Sequence, residues 1–171
     1  MLGILNYDVC RVRRPTTALQ CPMEKPFRTL RGFLKGAERE EKPYFSYSAT
    51  LRIFGDIADM ERISENLGLR PTDSHRKGGT RSRRAPPYRH DMWSYRAPVV
   101  ESDPLHKHID VLWGVLKPHK RYLLGLKKSV TVDVFLGYRT NCDTAGIEVP
   151  HTSLEMFSAL QIPFGISVIV T

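Results

Sequence analysis

Cysteine is scarce in this chain: Cys10, Cys21 and Cys142 are the only three among 171 residues, and no two form a Cys-x-x-Cys pair. A disulfide framework needs a dense, even set, so free thiols in a reducing compartment are expected. Long apolar runs are also missing. No stretch approaches the roughly 18 apolar residues that a membrane helix needs, so no membrane partner is expected. Met1–Leu5 is only a short apolar stretch with Asp8 close behind. That excludes the pattern of a signal peptide, and the expected location is cytoplasmic; Met23 is an alternative start. There is no internal repeat and no low-complexity tract. No Gly-x-Ser-x-Gly elbow occurs, and Lys77-Gly78-Gly79-Thr80 lacks the spacing of a phosphate loop. Without such constellations no catalytic residue, cofactor or metal is assigned, and the reading leans away from an enzyme.

What is present is an ordinary globular composition, 41% hydrophobic and 26% charged. The length suits one domain with a core of its own. The formal net charge is +8, and it is unevenly spread. Residues 1–43 hold nine Lys/Arg against five Asp/Glu, and residues 70–96 hold eight against two. An excess gathered in two segments points to an anionic partner and leaves the fold undetermined.

Residues 1–43 are punctuated by Pro15, Pro22, Pro26 and Pro43 and show no sustained period. Phe27, Leu30 and Leu34 share a helical face only briefly. The segment reads as a basic, weakly structured N-terminal region before a single domain over 44–171. From Phe45 to Ile53 apolar and polar residues alternate, which predicts a strand with one buried face. Ile57, Met60, Ile63 and Leu67 then form a helical stripe, with Asp56 or Asp59 as cap and Gly68 as stop. A short edge strand is expected near Thr72–Lys77 and a strand over Met92–Ala97. Asp103-Pro104 reads as a helix start, a capping carboxylate followed by proline at the first helical position, with Leu105, Ile109, Leu112 and Leu116 on the inner face. Further strands are expected over Val130–Tyr138, Ile147–Val149 and Phe164–Val170, with a short helix over Pro150–Leu160. The order β-α-β-β-α-β-β-α-β implies an α+β domain, a largely antiparallel sheet with helices on one face.

Several of these pieces together resemble a known family. They are Leu51-Arg52-Ile53-Phe54-Gly55-Asp56, Leu67-Gly68-Leu69-Arg70-Pro71-Thr72, Lys77-Gly78, Trp93-Ser94-Tyr95, the long helix, the strand Val130–Leu136 and Gly146-Ile147. The run is similar to the bacterial domain-of-unknown-function family 4279 over roughly residues 46–170. The resemblance implies a small bacterial cytoplasmic domain, in some members immunity-like, and brings no catalytic residues with it. The Arg81–Arg89 insert departs from the family pattern.

Two groups of residues invite chemistry. His106 and His108 stand two apart on a helix and cannot share a metal. His106 with Asp110 supplies at most two ligands where zinc needs three or four, so a solvated helix face is expected. The basic connection is the stronger candidate. Arg76, Lys77, Arg81, Arg83, Arg84, Tyr88 and Arg89 are taken as its contacts for a polyanion or a protein partner, because guanidinium groups donate two bonds at once to oxyanions. Tyr88, Trp93 and Tyr95 are available to stack bases unless the last two are core residues of their strand. The expected function is a non-enzymatic protein-interaction module, with nucleic-acid binding through residues 70–91 as the alternative. The oligomeric state is left open.

Overall fold

The structure is a computed structural model that describes residues 42, 44–142 and 146–171. The weakly structured N-terminal segment expected over residues 1–43, with the brief helical face of Phe27, Leu30 and Leu34, lies outside the described residues except for Lys42. Strand β1 (Phe45–Gly55) alternates as its sequence dictates, burying Ala49, Leu51 and Ile53 completely. At Gly55 the backbone turns to φ 135°, a region that disfavours side chains, and the strand ends. Helix α1 (Met60–Leu67) starts on Asp59, whose carboxylate accepts the Arg62 N–H at 2.9 Å. Gly68 ends it in the left-handed conformation, its N–H and that of Leu69 closing onto Glu65 and Ser64 carbonyls.

Strand β2 (Asp73–His75), strand β3 (Asp91–Arg96), helix α2 (Leu105–Leu116) and helix α3 (Lys120–Leu126) follow, with a 3-10 turn at Lys117–His119 where Pro118 interrupts the helix. Strand β4 (Thr131–Thr140), a 3-10 turn at His151–Leu154, helix α4 (Glu155–Leu160) and strand β5 (Ile166–Val170) complete the domain. The sheet order is β2-β3-β1-β4-β5. All neighbours are antiparallel except β4 and β5, which run parallel. A parallel neighbour requires a crossover, and α4 lies within it.

The core lies on one face of this sheet. Ile63, Leu67, Ile109, Leu112, Leu116, Met156 and Leu160 come from the helices to meet Ala49, Leu51, Ile53, Val132, Val134 and Leu136. Each fully buried Leu or Ile contributes about 1.5–3 kcal/mol relative to exposure. The other face carries the alternate side chains, Ser48, Thr50, Arg52 and Phe54 on β1 among them.

Four expectations are corrected here. Ile147–Val149 is not a strand; the β4 edge is taken by β5, and Ile147 and Val149 only pack on the core. Asp103 does not cap α2: Pro104 is still extended at φ −56°, ψ 146°, so the helix begins one residue later and the Asp103 carboxylate pairs with Lys107 at 3.5 Å. His108 is not on a solvated face but wholly buried beside Ile109. Cys142 is buried and disulfide-bonded, against the expected free thiol.

Candidate functional site

Residues 76–90 join β2 to β3 and carry the basic cluster. One carboxylate fastens both ends of this connection. Asp91 accepts the backbone N–H of Lys77 at 2.8 Å and that of Ile57 at 2.9 Å. Arg76 stands 3.6 Å from the same carboxylate and donates to the Ile57 carbonyl. The Lys77 N–H, then that of Ile57 and the Arg76 charge, hold the Asp91 carboxyl below the usual carboxylate range. Lys77 reaches Asp56 at 3.5 Å.

Beyond this clamp the chain narrows to a neck. Gly78 donates to the Tyr88 carbonyl at 2.9 Å, and Tyr88 donates back to Gly79 at 2.8 Å. Gly78 has φ 81°, which only glycine adopts readily. The Tyr88 ring stacks on His75 with centroids 3.6 Å apart. Outside the neck Arg81, Arg83 and Arg84, and beside it Arg89, are exposed and make no ion pair among the described residues.

The seven residues singled out from the sequence therefore divide. Arg76 and Lys77 fasten the loop and Tyr88 builds its neck, while Arg81, Arg83, Arg84 and Arg89 stand exposed. Trp93 is in the core, its indole N–H donating to Ser64 at 3.0 Å, and Tyr95 is half-buried against the core. Neither offers a face to a base. Among the described residues no three His, Cys, Asp or Glu side chains gather as a metal would require.

A second feature was not legible in the sequence. The face opposite the helices holds a groove of about 350 Å³. Its floor is made by Ser46, Ser48 and Thr50 of β1 beside Gly137 of β4; a Cβ at Gly137 would stand 2.6 Å from Ser48 Oγ, so glycine keeps the floor open. Glu101 closes one side, accepting from Ser46 and from Arg96, each at 2.9 Å. The Ser46 hydroxyl first, and the Arg96 charge next, hold the Glu101 carboxyl below its ordinary value. Further along the face Arg52 forks onto Asp133 with bonds of 2.8 and 2.6 Å, its guanidinium 4.9 Å from the Phe135 ring centre. Period-two patterning places each of these residues on the polar face, but only strand register brings them together.

No curated protein and no solved structure matches this chain. The family described as Domain of unknown function (DUF4279) matches residues 45–171, from the first residue of β1 to Thr171, with the basic loop inside the match.

Proposed function

Since the chain belongs to the DUF4279 family, a membership that brings a fold and no assigned chemistry, we propose on its own geometry a non-enzymatic interaction module that docks an acidic protein surface through the loop beyond Gly79. One observation carries this reading: four exposed arginines make no ion pair among the described residues, on a neck that Asp91 fastens to the sheet. An anchored loop loses less freedom on binding than a free one, so more of each contact survives as affinity. The +8 charge fits a partner with an acidic face, which is also what an immunity-like role would demand of its target.

Nucleic acid is the second reading, since arginine suits phosphate equally well. The aromatic side chains argue against single strands, because Tyr88 is stacked on His75 and Trp93 is buried. Replacing Arg81, Arg83, Arg84 and Arg89 together by Gln tests both. Exposed ion pairs contribute about 0.2–1 kcal/mol each, so binding of polyglutamate should weaken by roughly 1–4 kcal/mol while the melting temperature stays the same. Duplex DNA that binds more tightly than polyglutamate at about 0.15 M salt, with a steep salt slope lost in the variant, would transfer the site to nucleic acid. Polyanion binding unaffected by the four substitutions would remove the loop from the function altogether.

A further inference from the structure

The two edges of the sheet are built differently. At one edge β2 is three residues long and carries Asp73 and His75. Short, charged strands of this kind discourage pairing with another chain. At the other edge β5 is Ile-Ser-Val-Ile-Val, five residues with no charge and no proline. Val168, Ile169 and Val170 are 54%, 47% and 43% exposed. Register places Val168 beside Tyr138 and Val170 beside Thr140 on the helix-side face, and Ile169 beside Arg139 on the groove side. Exposed Tyr44 and Phe45 extend the strip, the Tyr44 hydroxyl meeting that of Thr171. The outer N–H and C=O groups of β5 have no strand partner among the described residues.

We infer that β5 pairs antiparallel with β5 of a second copy of this chain, joining two five-stranded sheets into one of ten. Self-pairing suits this strand. Whatever the antiparallel register, only branched apolar side chains and Ser167 can face one another, and β-branched cross-strand pairs are favourable. Among the described residues the basic excess stands away from this edge. The basic loop hangs from β2 and β3, with β2 four strand spacings, about 19 Å, from β5, well beyond a screening length of about 8 Å. Within the described sheet, the neighbouring strand's cation, Arg139 on β4, would lie three spacings, about 14 Å, from its mate. Five paired residues a side fall short of the roughly 1,200 Å² of a standard interface, so the dimer is a weak one.

Sedimentation equilibrium of the full chain over about 5–500 µM tests this, a span chosen for a low-area contact. The mean mass should climb from 19.6 kDa toward twice that value as concentration rises. Val168→Lys sets an ammonium against the partner's apolar edge and should hold the mass at the monomer value. Because Val168 is more than half exposed, its melting temperature should not move. Ile169→Lys, on the opposite face of the same strand, should do the same and covers the case in which the first variant folds poorly. A monomer at every concentration overturns the inference, as does association that both lysine variants leave intact. Strand pairing with a different protein in place of self-association would appear as a monomer in this experiment and counts against it equally.

Discussion

The imidazole of His108 is enclosed on α2, with Nε2 3.2 Å from the Asp103 carbonyl oxygen. Burial pushes its pKa below the ordinary histidine value, and the contact with Asp103 only partly opposes that. The folded protein therefore keeps this ring neutral, while the unfolded chain takes up a proton near pH 6.5. Below that pH the unfolded state binds more protons, so stability is fully present above about 6.5 and is lost as pH falls toward the depressed folded value. Melting temperatures between pH 7.5 and 5 should fall for the native chain and fall less for His108→Gln. Asp91, Glu101 and Glu155 have carboxyls held below their ordinary values and so titrate below this window. An equal fall in both proteins would show that His108 is not the group responsible. Nothing in the spacing of His106, His108 and Asp110 revealed this burial. His108 adjoins the Leu105–Ile109–Leu112 stripe, and how far that apolar face extends around a helix is decided by what packs on it.

Helix α2 is the element whose sequence pattern and packing agree best. Leu105, Ile109, Leu112 and Leu116 recur at helical spacing and are all at most 2% exposed. Leu112 is in the middle of this row, in the core between α2 and the sheet. Leu112→Ala should cost about 2–5 kcal/mol by chemical denaturation, the range for emptying a well-packed site. An unchanged midpoint would mean that the helix is rotated from the register described. Element ends were harder to read than element centres. Pro104 is fixed at a φ that suits either the first helical residue or the extended residue before it, and here it is the latter. Ile147–Val149 has strand-like residues, but a strand exists only where a neighbouring edge is free to pair, and β5 occupies that edge.

At the scale of the molecule, the core and every described element fall within the family match of residues 45–171. A chain beginning at Lys42 should accordingly melt within a few degrees of the full chain, compared in reducing buffer so that Cys142 is in the same state in both. Aggregation or a broad, weak transition in the shorter chain would place residues 1–41 within the cooperative unit. Lys42 and Tyr44 are already tied to the domain, as the Asn141 side chain donates to the Lys42 carbonyl and accepts the Tyr44 N–H. Among the described residues no helix is long and apolar enough to cross a membrane.

Period-two and helical patterning determined by themselves the α+β class and the buried rows of β1, α1, α2 and β4. Those are consequences of local geometry, because a side chain's face follows from its position along one strand or one helix. Composition likewise located the basic loop. Tertiary structure alone decided which of the loop's residues are held and which stand exposed, since Asp91 draws Arg76, Lys77 and Ile57 together from separate segments. It also decided that Arg52 meets Asp133, that Glu101 closes the groove and that β5 is left at an apolar edge. Each of these depends on which strands are neighbours and in what register, and pairing between residues 81 apart, as Arg52 and Asp133 are, leaves no trace in the periodicity of either strand.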